Sequence, residues 1–239
     1  MNCPPFGGLN RQSIKMLAML TMLANHAAQI LLPAGTVLYQ VLVDVGYFTA
    51  ITMCYFLVEG VAYTRSKLRY ALRLLGMAVL SQPVYVWALE HPQLNMLFTL
   101  FLCFLLVLVL QSSWPAFLKA GAWFVLGAVS LVCDWPLLAV VFTGLFVICK
   151  GPHRLLVVYA SACLLFFWFN LLGVPLTPGY MLQAACSCTG IVLSGLVIGC
   201  LYNGQKGPSW PGSKWFFYWF YPGHLALLGL LHHLGWVIA

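Results

Sequence analysis

His26 lies twelve residues into the first long apolar run of the chain, Ile14–Leu32, where an ionisable ring needs a reason to be. If the run is a helix, twelve residues rise about 18 Å, past the midplane of a bilayer entered at Ile14. Lys15 precedes His26 by eleven residues. Eleven steps of 100° return to within about 20° of the same azimuth. One helical face therefore reads Lys15, Met19, Met22, His26, Gln29. It offers a cation at one membrane surface, two thioethers, and then the side chain best suited to exchange a proton near neutral pH. That layout fits a slot for a long molecule with an anionic head and a reactive tail. It also fits a plainer reading, in which Lys15 sets topology and His26 hydrogen-bonds a neighbouring helix.

A second group could bind anions. Arg65, Arg69 and Arg73 recur every four residues and share a helical face, and guanidinium groups pair well with phosphate oxygens. Arg73 falls more than a turn inside its apolar run. Glu59 lies near the end of the preceding run, where a structural ion pair with these arginines is the simpler reading. His224 sits in the last run, about 14 Å from its start by helical rise, after Phe217, Tyr218 and Tyr221. Pro222 and Gly223 just before it free backbone groups that need partners. The buried amides expected are Asn25, Gln29, Gln82, Asn95 and Asn170. His26, Gln82 and Asn170 fall in the outer half of the membrane, with Asn95 close by at an outer helix start. Chemistry is therefore expected nearer the outer face, with the phosphate-matching charges at the inner one. His91, His153, His232 and His233 lie at helix ends and are assigned no role.

The elements that must hold these residues follow from composition. Hydrophobic residues make up 63% of 239 and charged residues 6%, whereas a soluble domain carries about a quarter charged residues to wet its surface. Runs of about twenty apolar residues read as membrane-spanning helices rather than barrel strands. The predicted spans are Ile14–Leu32, Val41–Tyr63, Leu68–Leu89, Leu94–Leu110, Ala116–Cys133, Pro136–Cys149, Leu155–Gly173, Met181–Tyr202 and Trp215–Ile238; the short sixth could instead be re-entrant. With the N-terminus cytoplasmic, all eleven lysines and arginines fall at cytoplasmic ends. The expectation is an all-α, polytopic bundle of about nine transmembrane helices in one domain, 1–239. Its first span is an uncleaved signal anchor. The net charge of +7 is then the positive-inside signal, and no nucleic-acid partner is expected. Cys54, Cys103, Cys149, Cys163 and Cys200 lie inside spans and read as small hydrophobes. Cys186 and Cys188 point about 200° apart on a helix, which argues against a shared metal, and no metal site is expected.

Five segments together resemble the TraX family, the F-pilin acetylase-like membrane proteins. They are IKMLAMLTMLANH ending at His26, FLVEGVAYTR from Phe56 to Arg65, YALRLL from Tyr70, NMLFTL from Asn95 and FYPGHL from Phe220. The basic residue, ten intervening residues and histidine of the first span are also similar to the first-helix motif of the larger transmembrane acyltransferase group. The segment between about 111 and 214 contributes little. Two departures stand out. Asn25 occupies the position where the family usually has Asp, and GYFTAIT from Gly46 stands where the family has Arg and Phe-Pro.

The resemblance implies an acetyltransferase that takes acetyl from cytosolic acetyl-CoA and delivers it to a protein or glycan acceptor at or near the outer face. In that reading Lys15, Arg69 and Arg73 hold the phosphates of CoA, with Arg65, Glu59 and Tyr221 as further donor-site candidates. Met19 and Met22 flank the pantetheine arm. His26 is the general base, and Asn25, Asn95 or His224 orients it or stabilises the oxyanion. An acetyl-histidine intermediate stays open. The expected setting is a bacterial inner or plasma membrane, with lipid and acyl-CoA as partners. The competing readings are a small transporter or channel, and a non-enzymatic assembly factor of a pilus or secretion system.

Overall fold

The structure, a computed structural model of the chain, describes residues 8–208 and 212–236, without the side chains of Ser213 and Lys214. Its helices are α1 Arg11–Leu31, α2 Val37–Tyr63, α3 Lys67–Leu89, α4 Met96–Gln111, α5 Ala116–Val129, α6 Leu138–Ile148, α7 Arg154–Asn170, α8 Pro178–Ser187, α9 Thr189–Leu196 and α10 Ser213–His233. A 3₁₀ turn, Ser130–Val132, continues α5, and a π turn, Val197–Leu201, closes α9. Among the described residues there is no strand, only the isolated bridges Leu9–Tyr202 and Leu94–Cys133. Local chemistry sets the helix starts: Asn10, Ser66, Asn95 and Thr177 each accept a backbone N–H of the turn they cap.

Every predicted span contains helix, and α8 and α9 share one of them. Two ends differ for identifiable reasons. The span expected at Pro136–Cys149 begins only at Leu138, because Trp135 and Leu137 hold left-handed φ of 59° and 61° around Pro136. The last helix, expected to run to Ile238, stops at His233. Gly235, at φ 82°, closes it in a Schellman turn, with Trp236 N–H donating to Leu231 O at 3.0 Å and Gly235 N–H to His232 O at 2.9 Å. Positions 237 and 238 lie outside the described residues.

By length and composition α1, α2, α3 and the stretch Pro178–Leu201 can each cross a bilayer, while α4 to α7 are apolar but shorter. The protein is an α-helical membrane protein. Two compact units divide the chain: 1–52 with 155–239, and 53–154. The first contains α1, the beginning of α2 and α7 to α10. The second contains the rest of α2 and α3 to α6.

In the first unit small residues and hydroxyls bind helix to helix, as expected where lipid gives apolar side chains no reason to cluster. Thr49 Oγ1 donates to the Ala18 carbonyl at 2.6 Å and lies 2.8 Å from Thr21 Oγ1, joining α2 to α1. Ser194 Oγ lies 2.7 Å from Thr52 Oγ1 and 2.9 Å from Tyr159 Oη, joining α9 to α2 and α7. Gly190 brings α9 onto the α2 backbone so closely that an added Cβ would sit 2.5 Å from Asp44 O and Phe48 N. In the second unit α4 packs against α3, α5 and α6. Ala139, Val140 and Phe142 of α6 are fully buried, so this short helix is covered by protein.

Gly190→Ala should therefore lower thermal stability, since the obstacle is backbone and cannot rotate away; overpacking of this kind costs about 1–3 kcal/mol or more. Gly76→Ala, which meets nothing within 4 Å, should leave the unfolding temperature unchanged or raised. The two variants in detergent are the measurement.

Candidate functional site

In the first unit α1 and α10 pack side by side. They run in the same direction, because early residues meet early residues and late ones meet late ones. Lys15 Nζ lies 5.8 Å from the centre of the Phe217 ring, and further along both helices His26 meets His224. The chain entering α1 is tied to the chain that leads towards α10. Asn203 N–H donates to Leu9 O at 3.0 Å, Arg11 N–H to Gln205 O at 2.9 Å, and Asn203 Nδ2 to Gly8 O at 2.8 Å. This strap fixes the two helices in register at one end.

The meeting of the histidines is a hydrogen bond of 2.7 Å between His26 Nδ1 and His224 Nε2. His224 Nδ1 lies 2.7 Å from the Phe220 carbonyl oxygen, one helical turn back. Those contacts determine the tautomers. A carbonyl can only accept, so His224 carries its proton on Nδ1 and presents a bare Nε2. His26 must then donate from Nδ1, which leaves the lone pair of His26 Nε2 as the end of the chain. That nitrogen has no hydrogen-bond partner among the described residues. Both rings are buried, at 7% and 6% exposure. Tyr221 stands edge-on to both, 6.2 Å from the His26 ring and 5.8 Å from the His224 ring, and Phe220 stacks on His224 at 4.9 Å. A neutral imidazole in this tautomer, backed by a second that can share an added proton, is built to accept a proton at Nε2.

Met19 is buried and Met22 half-buried on the same helix, between Lys15 and His26. Asn25 is turned to α2 instead of the imidazole: its Nδ2 donates to Val43 O at 3.1 Å, and its Oδ1 accepts from Gln29. A Cβ on Gly46 would lie 2.3 Å from Asn25 Cβ. Asn25 and the Gly46 segment, the two departures from the resembled pattern, are thus one contact in space. It is His224, held by Phe220, that orients His26.

The other candidates belong to the second unit. Arg65 and Arg69 are exposed, and Arg73 is half-buried with its Nε buried and lacking a hydrogen-bond partner. Glu59 is half-buried in α2. Asn95, fully buried, caps α4; both its donor contacts are spent within the fold, on Ala78 O and on Gln82 Oε1, each at 2.8 Å. Among the described residues no group of three or more His, Cys, Asp or Glu could hold a metal ion. Sequence reading passed over the Phe220 carbonyl. The available signal was spacing alone: a helical side chain leans back over the preceding turn, so a ring at 224 can reach the carbonyl four residues earlier.

Comparison with known proteins adds three findings. A family model described as TraX protein matches residues 10–232. The chain is 33% identical over 233 residues to the "Probable fimbrial assembly protein FimC, serogroup H1" of Dichelobacter nodosus, covering 90% of this chain and 92% of that protein. No solved structure matches.

The tautomers are directly observable. In ¹⁵N spectra at neutral pH, His26 should be protonated on Nδ1 and bare on Nε2, the less common neutral form. His224→Phe, which keeps a ring but removes the acceptor, should release that preference. A wild-type His26 protonated on Nε2 would contradict the hydrogen-bond chain.

Proposed function

The chain belongs to the TraX family, and from that premise and the histidine pair we propose that it is a membrane-embedded acetyltransferase. It takes acetyl from cytosolic acetyl-CoA and passes it to an acceptor at or near the outer face. The observation that carries the reading is the His26–His224–Phe220 hydrogen-bond chain, which leaves a bare ring nitrogen on the buried His26. The acceptor's hydroxyl or amine gives its proton to His26 Nε2 as its lone pair attacks the thioester carbonyl. The carbon–sulfur bond then breaks, and the leaving CoA thiolate takes the proton back. His224 fixes the ring and shares the transient positive charge. The same Nε2 lone pair could take the acetyl group itself before passing it on, which a trapped acetyl-histidine would reveal.

Within the first unit Lys15 is suited to a phosphate of the donor, with Met19 and Met22 along its arm and Tyr221 beside the rings; within the second, Arg65, Arg69 and Arg73 are the side chains that match phosphate. Nine crossings with a cytoplasmic N-terminus suit the distribution of lysine and arginine. The parallel course of α1 and α10 supports an odd number of crossings from the first to the last. Nine crossings make the chain a multi-pass protein, and its setting is a bacterial inner or plasma membrane. The relative's name supports a second reading, in which the protein serves fimbrial assembly. The two readings coincide if the acceptor is a fimbrial component, and they part if no acetyl is transferred.

Purified protein with acetyl-CoA is the test. His26→Gln keeps a hydrogen-bonding side chain but takes up no proton at neutral pH, so transfer should fall by about 10²–10⁴-fold while CoA affinity changes by no more than a few-fold. Arg69→Gln with Arg73→Gln should weaken CoA binding about tenfold or more, each charge-assisted contact being worth roughly 1.5–3 kcal/mol. Near-normal transfer by His26→Gln would make His26 a packing residue, and a protein that neither binds CoA nor transfers acetyl would leave the assembly reading alone.

A further inference from the structure

In the second unit α3 is 23 residues long, about 34 Å, and can cross a bilayer alone. Its outward face is apolar to the end, with Val79, Leu80, Val86 and Trp87 all exposed. Beyond Leu89 the chain reverses at Glu90, which takes φ 55°, and runs back beside α3. Gln82 Nε2 donates to Gln93 O at 2.8 Å, and Gln82 Oε1 accepts the Asn95 backbone N–H at 2.9 Å. Asn95 Nδ2 reaches the carbonyl of Ala78 at 2.8 Å. Ala78 is the middle residue of α3, eleven residues and about 16 Å below Leu89. Even allowing for the length of the Asn95 side chain, α4 starts two turns or so below the end of α3.

The α5–α6 turn is pinned at that level. Leu94 N–H donates to Val132 O at 2.9 Å and Asp134 N–H to Leu94 O at 2.7 Å. Thr99 Oγ1 donates to Asp134 O at 2.5 Å. Non-helical backbone from 90 to 95 and from 133 to 137 thus lies beside the outer half of a membrane helix. At that depth such backbone is tolerated only when buried in protein or facing water. Glu90, His91 and Gln93 are exposed, so protein does not cover them, and a carboxylate and an amide do not face hydrocarbon without cost.

We infer that the second unit holds a water-filled vestibule, open on the side opposite the lysine- and arginine-rich loops. Its wall is the outer half of α3, and its floor is the Asn95 cap of α4 with the Asp134 turn. The solutes it admits are polar and hydrogen-bonding. Cations are favoured over anions, because Glu90 and Asp134 are its charges and no lysine or arginine occurs between Arg73 and Lys119 or between Lys119 and Lys150. The inference depends on the membrane setting and not on acetyl transfer, so either can fail alone.

The test is cysteine accessibility in full-length protein in sealed membranes, scored as labelling above wild type. Membrane-impermeant thiol reagents of either charge are applied from that side. Gln93→Cys and His91→Cys should react, while Val86→Cys and Leu80→Cys, beside them on the lipid face of α3, should not. Two results overturn the vestibule: Gln93→Cys and His91→Cys no more reactive than the lipid-face pair, or Val86→Cys as reactive as Gln93→Cys, which would mean that the end of α3 projects from the bilayer. The cationic reagent should label Gln93→Cys several-fold faster than the anionic one, and adding Asp134→Asn should reduce that ratio. A ratio near one in the parent would overturn the preference for cations.

Discussion

A polar atom taken into hydrocarbon keeps its hydrogen-bonding requirement and loses the water that met it. Two imidazoles side by side carry two N–H groups and two lone pairs, and among the described residues the one outside group hydrogen-bonded to them is the Phe220 carbonyl. The protons line up in a single sense, from His26 to His224 to Phe220, and the leftover is a lone pair, not a proton. An unmet acceptor in a buried site is tolerated more readily than an unmet donor. The chemistry proposed for this protein is what that leftover lone pair can do, and reversing the order of the protons would remove it.

Much of the surrounding structure serves to keep the two rings 2.7 Å apart. The strap between 8–11 and 202–207 sets the register of α1 against α10 at one end, and the Lys15–Phe217 contact continues it. On its other side α1 is held to α2 by Thr21, Thr49 and the Asn25–Gly46 contact, and α2 in turn is clamped by Gly190 of α9. The Asn25 contact shows how a departure from the resembled pattern is absorbed. A carboxylate there would lose the donor to Val43 O and set a charge against that carbonyl, so the amide and the glycine suit each other. The replacement is structural and leaves the bare nitrogen of His26 untouched.

The sequence made much of this legible, and unevenly. Apolar run lengths located the helices, because in a membrane hydropathy and span are nearly one quantity. His26 and His224 were visible as ionisable residues where none should be. Their contact was foreshadowed only by similar depth, since pairing residues 198 positions apart depends on packing that no local pattern encodes. Asn25 looked like the natural partner of the neighbouring His26, yet consecutive helical positions face about 100° apart, and Asn25 faces α2. The end of α10 was readable in Gly235, whereas the late start of α6 rests on left-handed Trp135 and Leu137, residue types that give no warning of it. Asn95 was seen as an outer helix start; that this start lies beside the middle of α3 emerges only from the hydrogen bond to Ala78.

Whether His26 and His224 act as one device can be measured by comparing acetyl-transfer rates of His26→Ala, His224→Gln and the double variant under single-turnover conditions, with wild type as reference. Residues that work as a unit are strongly non-additive. If His224 acts only through His26, the double variant should be no slower than His26→Ala alone. Losses that multiply, with the double variant slower than His26→Ala by the full factor of His224→Gln, would show two independent contributions and contradict the hydrogen-bonded pair as the catalytic base.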